Sequence, residues 1–66
     1  MQMIEKGDIV RRKDGKPLWY KSLEGVIEEV LPHNEFYVKT IDEEYGIQNV
    51  TPVDLAYIEK VEEQNG

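Results

Sequence analysis

Cysteine is absent from this 66-residue chain, histidine and tryptophan occur once each, and no apolar run exceeds the four residues Leu55, Ala56, Tyr57 and Ile58. Each absence removes a class of protein. Without cysteine there is no disulfide framework, no thiolate nucleophile and no finger-type zinc site, the staples on which small domains often rely. An apolar run this short cannot span a membrane, which takes roughly 18 residues, and the first residues lack the basic-then-apolar pattern of a signal sequence. A soluble, cytoplasmic protein is expected. Folding a single domain of this length removes about 60% of the unfolded surface from water, enough for one thin core and too little for a deep substrate cavity.

What is present favours a folded domain. Hydrophobic residues make up 39% of the chain, and Val, Ile and aromatic residues recur at short intervals from Ile4 to Val61, which a disordered tail would not need. The 14 acidic and 8 basic residues leave a net charge of −6, but that figure is an average. Residues 1–21 hold six basic against three acidic side chains, +3, whereas residues 22–66 hold two against eleven, −9. A partner meets two electrostatic faces if these halves segregate in space, and a mixed surface of weak ion pairs if they interleave.

Strand signals alternate with turn signals along the chain. Lys6, Gly7 and Asp8 form a turn into a first strand over residues 9–12, and Asp14-Gly15 followed by Lys16-Pro17 opens a long loop over residues 13–24. Residues 25–30 form the second strand. Strict alternation there would put Glu29 on the same face as Ile27, so placing Val30 beside Ile27 requires one extra residue, a β-bulge at Glu28-Glu29. Residues 31–34 are a turn. Residues 35–41 alternate cleanly, with Phe36, Val38 and Thr40 on one side and Tyr37, Lys39 and Ile41 on the other. Asp42, Glu43 and Glu44 form a solvated hairpin tip before a fourth strand over residues 45–50. Thr51 then suits a helix cap, Pro52 the first helical position and Asp54 the first turn, which leaves room for one helical turn. Residues 57–61 form a fifth strand, and residues 62–66 a polar tail.

Five short strands, a long first loop and a one-turn 3-10 helix before the last strand predict an all-β, SH3-like small barrel spanning residues 1–61 as one domain, because partial closure hides strand edges in few residues. Certain residues carry a resemblance as well. The run from Gly7 through Asp8, Ile9, Val10 and Arg11, the pair Trp19-Tyr20, the spacing of Gly25, Ile27 and Val30, the aromatic third strand and Asp54-Leu55 resemble KOW-type modules and the photosystem I subunit IV group of electron-transport accessory barrels. The resemblance covers about residues 5–61. It implies that Gly7 and Asp8 form the entry turn, that Gly25 allows a close strand crossing, that Trp19 and Tyr20 are loop aromatics, and that the role is non-catalytic docking.

Residue chemistry points the same way. His33 sits between Pro32 and Asn34 as a turn residue, with no second His or Cys to complete a metal site. Ser22, His33 and Asp54 could be written as a triad, but there is no nucleophile elbow and no room for an oxyanion pocket. The acidic tip lacks the spacing of a calcium loop, and Asp54 and Glu59 read as cap and strand-surface residues. No enzyme activity, metal or cofactor is expected.

The candidate site is the first loop. Arg11, Arg12, Lys13, Lys16 and Lys21, five of the eight basic residues, lie there with Trp19 and Tyr20. Cations mixed with exposed aromatics suit either a nucleic acid or a protein bearing carboxylates and an apolar anchor. Two readings of Trp19 stay open: a docking anchor, or a plug closing one end of the barrel with Leu18 or Leu23. Tyr37, Tyr45 and Tyr57 likewise read either as an aromatic groove beside the loop or as rings covering the sheet faces. Five clustered cations support only a few phosphate contacts, and eleven carboxylates in the remaining chain oppose a polyanion, so a protein partner is favoured over RNA or single-stranded DNA. A monomer is expected, with pairing of an exposed edge strand to its copy as the alternative.

Overall fold

The computed structural model describes residues 3–61; the polar tail expected over residues 62–66 lies outside them. Five strands form one antiparallel sheet: β1 (Ile9–Arg12), β2 (Glu24–Leu31), β3 (Glu35–Asp42), β4 (Ile47–Asp54) and β5 (Ile58–Lys60), in the order β4-β3-β2-β1-β5. A 3-10 turn over Leu55–Tyr57 joins β4 to β5. β4 and β5 end the sheet and are not neighbours in it, so the hydrogen-bonded ladder is open where full closure would join them. Among the described residues no helix is long and apolar enough to cross a membrane.

The bulge falls where the sequence requires it. Ile27 pairs with Val38 and Glu29 with Tyr37, so Glu28 is the extra residue. Beyond it Val30 lies opposite Phe36, which returns Val30 to the face that Ile27 and Val38 share. Ile27 is buried there while Val30, near the strand end, remains exposed. Val10, Ile27, Phe36, Val38 and Ile58 form the core, with Ile4, Leu18 and Val53 packed against it. Three of the five come from the alternating faces of β2 and β3, where β-branched and aromatic side chains fit a half-buried pleat.

The third buried position of β3 is polar. Thr40 is only 2% exposed, and its hydroxyl has no hydrogen-bond partner. A buried donor left unmade costs about 1–3 kcal/mol. Thr40→Val keeps the shape and removes that hydroxyl, so a rise in stability of about 1–2 kcal/mol is expected in urea denaturation. A lowered midpoint would show that the hydroxyl is satisfied after all.

The end of β4 departs from the sequence reading. The strand runs on through Thr51 and Pro52 to Asp54, which pairs with Glu35. The cap is therefore Asp54 and not Thr51: its carboxylate accepts from the Ala56 N–H at 2.8 Å, and the Leu55 N–H donates to the Asn34 carbonyl at 2.7 Å. Two effects decide this. An unbroken eight-residue ladder with β3 outweighs one helical turn, and a proline is tolerated on an edge strand because an outward position needs no N–H.

The hairpins follow local chemistry. Asp42 accepts from the backbone N–H groups of Glu44 and Tyr45 and closes the acidic tip, which delays the start of β4 to Ile47. His33 and Asn34 both take positive φ in the β2–β3 turn, as a turn reading of His33 implies. Ser22 lies beside Ile41 at the opposite end of β3 from that turn.

Candidate docking surface

The first loop, residues 13–23, leaves β1 under the constraint of a salt bridge. Arg12 grips Asp14 through two hydrogen bonds, Nε to Oδ1 at 3.0 Å and Nη2 to Oδ2 at 2.6 Å, and Asp14 Oδ1 also accepts from the Lys16 N–H. Gly15, at φ 78°, makes the turn between them. Such a fork-to-carboxylate pair stabilises the ionised acid. Hydrogen bonding from Arg12, then from the Lys16 amide, lowers the Asp14 pKa to about 2 from an ordinary 3.8, and the same bond raises that of Arg12.

The sign of the linkage follows from that depression. The contribution of Asp14 to stability is complete above its unfolded-state pKa and is lost as pH falls through about 2. We expect an NMR titration of the Asp14 carboxyl to show a midpoint near 2, and Arg12→Gln to move it upward toward, though not fully to, the ordinary value, since the Lys16 amide remains. An unmoved midpoint in Arg12→Gln would remove the guanidinium as the cause.

Further along, the chain reverses in a tight turn. Ser22 and Trp19 form an isolated antiparallel bridge, with the Ser22 N–H donating to the Trp19 carbonyl at 2.8 Å and the Leu18 N–H to the Ser22 carbonyl at 2.9 Å. The Ser22 hydroxyl donates to the Ile41 carbonyl and ties the turn to β3. Tyr20, at the tip, has φ 52°, a left-handed conformation that costs a non-glycine residue about 1–2 kcal/mol. Leu18 packs against the core. Trp19 remains 47% exposed, Tyr20 63% and Leu23 55%. Leu18 is thus the residue that closes the core here, and Trp19 and Leu23 are displayed.

The cations are unequally available. Arg11 is held by Glu59 at 2.8 Å, Arg12 by Asp14, and Lys21 lies 3.6 Å from Glu44 and 5.5 Å from the centre of the Tyr20 ring. Among the described residues Lys13 and Lys16 carry no salt bridge. The bridges from Arg11 to Glu59, Lys21 to Glu44 and Lys60 to Asp8 cross between the basic and acidic halves, so the two halves interleave. β5 lies beside β1 and the acidic tip lies near the first loop, and that is what brings opposite charges together.

Two grooves flank Leu23 and Glu24. A groove of about 340 Å³ runs along Arg11, Arg12, Lys13 and Lys16, and one of about 480 Å³ runs between Lys21 and the tip residues Asp42, Glu43 and Glu44. Tyr37, Tyr45 and Tyr57 line neither. The sheet disperses them: Tyr37 pairs with Glu29 and Pro52, Tyr45 is in the acidic hairpin, and Tyr57 ends the 3-10 turn, where its carbonyl accepts from the Lys13 N–H. An aromatic groove beside the loop is therefore not formed. Leu23, which the sequence reading offers only as a plug beside Trp19, is instead an exposed apolar residue shared by both grooves. No alternation marks it, because it stands just outside β2.

The chain matches no protein family, no curated protein and no solved structure.

Proposed function

We propose that this domain is a non-catalytic protein-interaction module of the cytoplasm that docks through its first loop, with Trp19 and Tyr20 as apolar anchors and Lys13 and Lys16 as steering charges. The observation that carries this reading is the display of Trp19 and Tyr20 on a strained, hydrogen-bonded turn while Leu18 takes the core position. Strain of this kind costs stability and clusters at binding sites, and aromatic anchors beside a polar rim are the usual centre of a docking patch. Arg11, Arg12 and Lys21 brace the surface through their internal ion pairs. The strand order and the 3-10 turn support an SH3-like small barrel of the KOW or accessory-barrel kind as the architecture behind it.

A carboxylate-bearing protein suits this surface better than a nucleic acid. Of the five cations in residues 11–21, Lys13 and Lys16 are without an internal bridge among the described residues, so a single strand on this loop gains about two phosphate contacts and binds weakly, with a shallow salt dependence. Two variants test the reading. Tyr20→Gly relieves the left-handed strain, so a gain of roughly 0.5–1 kcal/mol in stability is expected together with loss of partner capture. Trp19→Ala should lose capture while the domain stays folded, with a modest loss of stability from the covered half of the indole. Both variants retaining the wild-type partners would overturn the proposal, and Trp19 fluorescence responding to a single-stranded oligonucleotide at low salt would favour the nucleic-acid alternative.

A further inference from the structure

The two ends of the sheet are protected very differently. β5 is three residues long and carries Glu59 and Lys60, the short, charged form that discourages edge pairing. β4 is eight residues long, pairs with β3 without a bulge, and has no charged side chain from Ile47 through Val53. Its only obstacle is Pro52. Ile47 and Val50 are 56% and 50% exposed on it. On the face away from the core, Val50 lies opposite Lys39, which separates it from Val26 in the row that crosses the sheet to Ile9, so Val50 is an isolated exposed apolar side chain at this edge.

We propose that β4 pairs antiparallel with β4 of a second copy of this chain, joining two sheets about a two-fold axis at Val50. The sequence of the strand is what selects a second copy as occupant. Set against itself about Val50, it matches Ile47 with Val53, Asn49 with Thr51, Gln48 with Pro52 and Val50 with Val50. Apolar meets apolar at Ile47–Val53 and at Val50–Val50, and hydrogen-bonding side chains meet at Asn49–Thr51, as favourable cross-strand pairs require, whereas Gln48 opposite Pro52 is the one unmatched pair. Strand alternation keeps each matched pair on one face. Pro52 cannot donate, so its pairing with Gln48 has at most one backbone bond, and the loss falls away from the axis, not on it. Two molecules of charge −6 repel on approach; the paired stretch Ile47–Val53 adds no charge of its own, while the acidic tip and Asp54 adjoin its ends. The axis gives an isologous, closed contact, which stops at two copies. It uses none of residues 11–21 and is independent of the docking loop.

The test is sedimentation equilibrium on the full chain over a wide concentration range. The wild type is expected to pass from monomer to dimer mass. Val50→Glu sets two carboxylates against each other at the axis, while within its own sheet the new side chain gains Lys39 as a cross-strand neighbour; association should weaken by more than about tenfold. An equimolar mixture of Val50→Glu and Val50→Lys should restore it, because opposite charges then face each other. A wild type that stays monomeric throughout, a Val50→Glu variant that dimerises as the wild type does, or a mixture that fails to associate would each overturn the proposal. Should either variant fail to fold, amide hydrogen exchange on the wild type decides: protection in β4 must rise with concentration, and concentration-independent exchange there excludes the dimer.

Discussion

Gly25→Ala should destabilise the domain by about 2–3 kcal/mol, the range expected of overpacking in a core with little slack. A Cβ at this position would stand 2.5 Å from Val38 Cγ1, 3.0 Å from the Lys39 carbonyl oxygen and 3.1 Å from Thr40 Cγ2. None of these can move cheaply. Val38 is buried and β-branched, with little rotamer freedom. The Lys39 carbonyl is backbone of the neighbouring strand, so relief requires β2 and β3 to separate. Relative to glycine, alanine would gain about 0.4–1 kcal/mol from a less flexible unfolded chain, which the clash exceeds. The urea midpoint should fall by about 2 M if the slope is near 1 kcal/mol/M. Val38→Ala removes the nearest clashing atom, so Gly25→Ala should cost less in that background, a coupling that a double-mutant cycle reads directly. An unchanged or raised midpoint for the single variant would refute the close crossing at Gly25.

Ile27→Ala is expected to cost about 2–5 kcal/mol, because its side chain is fully buried and the cavity left behind has few neighbours able to collapse into it. The whole domain holds on the order of 3–10 kcal/mol at typical stability per residue, so this one truncation consumes a large fraction of it. At about 4–8 °C per kcal/mol, the melting temperature should drop by roughly 8–40 °C, and the variant is expected to be partly unfolded at room temperature. Ile41→Ala is the control. Ile41 is in the adjacent strand but half-exposed on the opposite face, and its truncation should stay within about 0.5 kcal/mol. Equal losses at the two sites would mean that the sheet buries both faces, which an open five-stranded sheet does not.

The contrast between Ile27 and Ile41 is also where the sequence was most legible. The alternation of Phe36, Val38 and Thr40 assigned the buried face of β3, and the spacing of Ile27 and Val30 required a bulge at Glu28-Glu29. Both follow from the period of two of an extended chain. The Asp14-Gly15 turn and the acidic tip were legible for a related reason, since their side chains hydrogen-bond their own backbone. The end of β4 was misread because a cap-proline-carboxylate pattern is local, whereas the ladder with β3 that overrides it is not. For the candidate site, the segment of residues 11–21 could be marked from its cations and aromatics, but which side chain faces the core could not. Leu18, Trp19 and Leu23 are all apolar residues in a loop with no periodicity to sort them.

The amino-acid sequence by itself determined one small all-β domain, its strand set, its bulge and the charge imbalance between its halves, because strand period, turn chemistry and composition act over a few residues. Only the tertiary structure decided that Leu18 closes the core while Trp19 is displayed, that Arg11, Arg12 and Lys21 are held by carboxylates, and that β4 is the long unguarded edge. Those outcomes depend on which strands become neighbours. A pairing of β1 with β5, forty-eight residues apart at Arg11 and Glu59, is invisible to any local pattern.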